Sequence, residues 1–194
     1  MLYPILRRLS AMLVLRRVAE YLELDGQMQQ PAFFMEILFD DSYIGNVKLT
    51  DRHTVTFLAS LSTPEEDWTK VKRWLETEIF GTDKVVISGF HSPFERRVLQ
   101  QLIEHNHPAI VVLARSLYKR IPAEYQKAIT QKSILITSYF PKHKRNSYRY
   151  AEARNAYLMD IANEVVVIGV GATSRISTFF NLFRKSSNKP FIEL

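Results

Sequence analysis

The chain contains no cysteine, which rules out disulfides, thiolate zinc sites and a cysteine nucleophile, and suits a reducing cytoplasm. Its five histidines are scattered and form no HExxH pair, so no metal motif is offered. A GxSxG elbow is missing, as is a Walker A lysine. No uncharged apolar run reaches the roughly 18 residues that a membrane span needs, and a soluble chain without a membrane partner is expected. Low-complexity segments and internal repeats are also lacking. The carboxylates Glu95, Glu124, Glu152 and Asp160 fall in first turns or on helix faces, where structural carboxylates belong, and spacing nominates no acid/base pair. These gaps point away from enzymatic turnover and from a bound cofactor.

What is present is an ordinary globular composition, 46% hydrophobic and 24% charged, which favours a packed core over disorder. The formal charge of +6 favours an anionic partner such as nucleic acid or a nucleotide. Residues 2–24 fit a basic amphipathic helix that carries Arg7, Arg8, Arg16 and Arg17 beside a leucine stripe. FFMEILF (33–39) and YIGNVKL (43–49) then read as a hairpin about Asp40-Asp41-Ser42. Residues 1–52 are therefore expected to be a helix-and-hairpin appendage, and residues 53–194 the main domain.

From Thr54 the pattern changes to short β-branched runs separated by amphipathic segments of helical length. The expected strands are 54–59, 84–88, 109–113, 133–137 and 164–169, with a short last one at Phe191-Ile192. Helices are expected near 64–79, 92–106, 121–131, 148–161 and 174–184. This alternation predicts an α/β Rossmann-like three-layer sandwich with a mainly parallel sheet of five to six strands. Ligands of such folds gather at the carboxyl ends of the strands, so the loops there hold the candidate site.

Two of those loops share a helix-start grammar: Thr63-Pro64-Glu65-Glu66 and Ser92-Pro93-Phe94-Glu95 each combine a hydroxyl cap, a proline and a carboxylate able to reach back. In the second, Gly89 and His91 are candidates to line a ligand site or simply to shape the turn. Gly169, Gly171, Thr173, Ser174 and Arg175 follow the last strong strand without a carboxylate, a composition suited to an anion or to a capped glycine turn. Lys142, Lys144, Arg145 and Arg149 interleave with Tyr148 and Tyr150, and Arg154-Asn155 follow. Cations alternating with aromatics suit a phosphate backbone with stackable bases, or a solvated basic loop. Arg115 and Lys119, with Arg120, would extend that positive edge.

In order and spacing these segments resemble the Rossmann-like domain of the Smf/DprA (DNA-processing protein A) family, within the wider Smf/LOG-type group. The family's S-G-L-A-x-G-I-D is echoed by Ser88 to Glu95, and its Y-P helix start by Ile121-Pro122-Ala123-Glu124-Tyr125. S-E-[FY]-P is similar to Thr137 to Pro141, F-P-x-R-N-R to Tyr150 with Arg154-Asn155, and S-G-S-L-x-T to Thr173 to Ser177. Three positions depart: Ser60-Leu61-Ser62-Thr63 replaces the family's G-S-R, Pro93 its second glycine, and Ala156 the last arginine of R-N-R. The PGGxGTxxE motif of LOG-type phosphoribohydrolases is absent. The resemblance implies a non-catalytic, cytoplasmic, single-stranded DNA-binding protein of DNA-processing and recombination type, with a recombinase as partner. The alternatives are a small-nucleotide sensor or nucleotide-processing enzyme of the same superfamily, and an interaction scaffold that self-associates as a homodimer.

Overall fold

The structure is a computed structural model, and it describes residues 43–140, 144–171 and 174–194. The expected N-terminal helix and the first hairpin segment, together with Lys142 and Thr173, lie outside these residues.

Strands form where β-branched and aliphatic runs can be buried on both faces. In β2 (Thr54–Ala59) every residue is buried, as in β3 (Val85–Ser88), β4 (Ala109–Leu113) and β5 (Ile134–Ser138). With β6 (Glu164–Ile168) and β7 (Phe191–Glu193) they make six parallel strands, and β1 (Tyr43–Gly45) adds an antiparallel edge through its pairing with β5. The seven-stranded order is β1-β5-β4-β3-β2-β6-β7. This is the Rossmann-like sheet expected, one edge strand wider.

Helices α1 (Trp68–Trp74, continued by a π turn at Leu75–Ile79), α2 (Pro93–Glu104) and α3 (Ala123–Thr130) cover one face. Val55, Phe57, Val86, Val111 and Ile136 point into that layer. Helices α4 (Tyr148–Ile161) and α5 (Arg175–Ser186) cover the other, against Leu58, Ile87, Val112, Leu135 and Val167. The period of two along each strand thus sorts the side chains into two cores. Phe57 stacks on Trp74 with ring centroids 5.2 Å apart, and truncating such a buried ring costs about 3–5 kcal/mol.

Two local expectations are corrected. YIGNVKL is a strand only to Gly45, after which Val47–Asp51 coils into a 3₁₀ turn. Asn46 causes the break: its side chain accepts from Lys48 N at 3.2 Å and donates to Lys132 O at 2.9 Å. The Thr63 capping box does not form, because Thr63 Oγ1 donates to Ser60 O at 2.8 Å. The 3₁₀ turn Glu65–Asp67 therefore begins at Pro64 without a side-chain cap. Among the described residues no helix is long and apolar enough to cross a membrane.

Candidate functional site

From β2 the chain winds outward through β3, β4 and β5, then returns to place β6 on the other side of β2. The loops after β2 and β6 consequently diverge and leave a crevice at the carboxyl ends of the strands. A cavity of about 670 Å³ occupies it. The loop Ser60-Leu61-Ser62, the turn before α2, the first two turns of α4 and the start of α5 form its walls.

The turn before α2 is held from inside. Ser92 Oγ accepts from Glu95 N at 3.2 Å, and Glu95 Oε2 accepts from Ser92 N at 3.3 Å, completing the expected capping box. Glu95 does more than cap. Its Oε2 also accepts from His91 N at 2.7 Å, and its Oε1 from Ala59 N at 3.1 Å. A carboxylate only 2% exposed is thus satisfied by three backbone N–H groups, one from the last residue of β2 and two from the turn before α2, which fixes the separation of the two segments. Because the carboxylate occupies this helix start, an incoming anion must find its donors elsewhere.

Arg154 offers donors of that kind in the crevice wall. It sits in the middle of α4, is 3% exposed, and lines the crevice. Asn155 Oδ1 accepts from its Nε at 3.1 Å and from its Nη2 at 2.8 Å, and Val112 O accepts from its Nη1 at 3.3 Å. Three of its five N–H groups are used in this way. Among the described residues no carboxylate lies within ion-pair distance of it. Burial lowers its pKa and the charge of Glu95 acts in the opposite direction, yet a guanidinium keeps its proton in a protein. Gly89 makes room for it: a Cβ there would come within 1.9 Å of Arg154 Cζ.

The other candidates distribute unevenly. His91, Tyr148, Asn155, Gly171 and Ser174 join Arg154 around the crevice. The His91 pKa is lowered, by burial first and then by Arg154, so a neutral imidazole faces the cavity at neutral pH. Lys144, Arg145 and Arg149 are exposed in the segment that leads into α4 and begins it, next to the lining residues Asn146 to Tyr148. Gly89 and Arg115 line a second cavity, of about 800 Å³, between α2 and α3. Lys119 is exposed in the loop after β4 and lines neither cavity. Tyr150 is half-buried, with its ring centroid 4.4 Å from that of Phe140, and so packs inward. Gly169 serves the fold: its φ is +70°, and a Cβ there would meet Thr63 Oγ1 at 2.1 Å. The following turn uses some N–H groups internally, Gly171 N donating to Gly169 O and Ser174 N to Gly171 O. Arg175 begins α5.

Sequence reasoning missed Leu61, a crevice-lining residue that is 71% exposed, as the lining residue Tyr148 is at 59%. Glu152, read from sequence as a structural carboxylate, is buried in the same wall. Among the described residues no cluster of His, Asp and Glu could hold a metal ion.

A family model described as "DNA recombination-mediator protein A" matches residues 27–176. No curated protein sequence matches the chain. Among solved structures, DNA processing protein A (DprA) from Streptococcus pneumoniae is similar at TM-score 0.61 and 17% identity, over 77% of this chain and 53% of that one. DNA processing protein A from Helicobacter pylori, described for its single-stranded DNA binding mode, is similar at TM-score 0.58 and 15% identity, over 77% of this chain and 69% of that one. The chain thus spans about half the length of the Streptococcus pneumoniae protein.

Proposed function

The chain belongs to the DNA recombination-mediator protein A family, and from that premise we propose that it binds single-stranded DNA without catalytic turnover. The observation that carries this reading is Arg154, a buried cation in the wall of a strand-end crevice with no carboxylate at ion-pair distance among the described residues. An unpaired buried charge is costly, and an anion that reaches it offsets that cost. A phosphodiester seated at the crevice takes the remaining N–H groups of Arg154. Lys144, Arg145 and Arg149 hold neighbouring phosphates at the rim, and the exposed ring of Tyr148 stacks on a base, with exposed Leu61 as further apolar surface. Lys142 and Thr173, outside the described residues, and Arg175, the first residue of α5, are further candidate contacts.

We infer further that it mediates recombination with a recombinase as its protein partner, acting in the cytoplasm; the family's description as a recombination mediator supports the first of these. A small nucleotide is the second reading, because a cavity of about 670 Å³ falls within the range of small-molecule sites.

Titration of a fluorescent oligothymidylate at two salt concentrations tests the first reading. Affinity should fall linearly in logarithms, and exchanging Lys144, Arg145 and Arg149 together for Ala should reduce the slope by about two, at roughly 0.7 per lost phosphate contact. Salt-independent or undetectable oligonucleotide binding overturns it, and a melting-temperature rise with mononucleotides alone favours the second.

A further inference from the structure

His91, Asn146 and Arg154 line both cavities, so they form the partition between them. The second cavity differs in chemistry from the crevice. Apart from Arg154 in the partition, Arg96 and Arg115 are matched in number there by Glu104 and Glu124, so no excess of positive charge draws a phosphate beyond Arg154. Aromatic surface lines it instead: the Arg115 guanidinium lies 4.7 Å from the centroid of the half-buried Tyr118 ring, and the buried ring of Tyr125 is 5.9 Å from that of Tyr118. Leu99, Ile103 and Leu113 add apolar wall. Mixed donors and acceptors around an apolar, aromatic hollow suit a neutral heterocycle.

Phe90 forms part of the floor, and its φ of +46° is uncommon for a bulky side chain. That conformation sends the Phe90 ring into the α2 core and sets His91 at the head of the partition. Backbone strain of this kind persists only where surrounding contacts enforce it, and it gathers at ligand sites.

We propose that the second cavity receives the base that adjoins the phosphate held at Arg154, so that two consecutive bases are splayed into separate cavities. The inference rests on the single-stranded DNA reading above. In a strand the only charged element between two rings is the phosphodiester, and the only buried cation between the two cavities is Arg154 among the described residues. The order ring, phosphate, ring along the ligand therefore matches the order cavity, Arg154, cavity across the site. Unstacking two bases is unfavourable, and burial of each against its own walls offsets it. The recognised unit is then a dinucleotide step with no fixed sequence.

Competition against a labelled oligothymidylate tests this with three unlabelled ligands: thymidine monophosphate, the dinucleotide TpT, and the same dinucleotide with one base removed. TpT should compete at least tenfold better than either of the others. Tyr118→Ala should reduce TpT to the level of the one-base dinucleotide, and Gln100→Trp, which fills the cavity from the exposed side of α2, should do the same if Tyr118→Ala fails to fold. Equal competition by TpT and the one-base dinucleotide, with oligonucleotide binding intact, overturns the two-cavity arrangement alone. Competition by the monophosphate equal to that of TpT overturns it in favour of a free-nucleotide site. Absence of oligonucleotide binding in the native protein overturns both this inference and the reading beneath it.

Discussion

The guanidinium of Arg154 lies where a side chain on Gly89 would begin, with Cζ 1.9 Å from the position of that missing Cβ. Two segments 65 residues apart in sequence (154 − 89) are thereby locked together at the carboxyl end of β3. Gly89→Ala should displace the guanidinium, break its bonds to Asn155 and Val112, and lower stability by about 1–3 kcal/mol, as overpacking does. Denaturant unfolding measures the loss, and oligonucleotide affinity should fall with it. Unchanged stability and binding would show that the guanidinium has somewhere else to go.

Arg154 itself separates stability from binding. Arg154 is buried with no carboxylate at ion-pair distance among the described residues, so its desolvation cost is only partly repaid and an apolar side chain of similar length removes it. Arg154→Met is therefore expected to melt at or above the native temperature while losing at least tenfold in oligonucleotide affinity. A melting temperature well below native, with affinity retained, would assign Arg154 to the fold alone.

The parallel strands were legible because both faces are covered, so Val85 to Ser88 and Ala109 to Leu113 read as unbroken buried runs. The carboxyl-end loops followed from that topology. The site's interior was less legible. In α4 the buried set includes Glu152 and Arg154 beside Ala153 and Leu158, so charged residues occupy core positions and blur the helical pattern that separates inside from outside. Tyr150 reads as a stacking residue until its contact with Phe140 is seen. Thr63 and Ser92 share one cap signature, yet only Ser92 closes its box, since Thr63 has a nearer acceptor in Ser60 O. The exclusion of other side chains at Gly89 depends on a residue far away in sequence, which no local spacing reveals.

The two halves of the α2 cap should differ in cost. Ser92→Ala removes one acceptor and is expected to destabilise by about 1 kcal/mol. Glu95→Ala leaves the N–H groups of Ala59, His91 and Ser92 without their acceptor in a buried turn, and should cost about 2–4 kcal/mol, at roughly 1–3 kcal/mol per unsatisfied buried group with partial relaxation. Paired denaturation curves check the ranking. Equal costs would mean that the bonds from Ala59 and His91 add nothing beyond the cap.

Acid should act on the molecule in two opposed ways. Burial lowers the pKa of His107, whose Nε2 is 2.9 Å from Lys84 O, and of His91. As pH falls below the unfolded histidine value of about 6.5, the unfolded chain takes up protons that the folded chain refuses, so stability declines towards the lowered folded values. His107→Gln should flatten that decline by up to one proton's worth of slope. Ligand affinity should move the other way. A phosphate beside His91 favours the imidazolium and raises its pKa, so binding takes up a proton and tightens as pH falls through the same range. Oligonucleotide titrations between pH 5.5 and 7.5, at constant ionic strength, would detect this linkage, and His91→Gln should abolish it while leaving the stability slope due to His107 in place. Affinity independent of pH in the native protein would place the phosphate away from the partition.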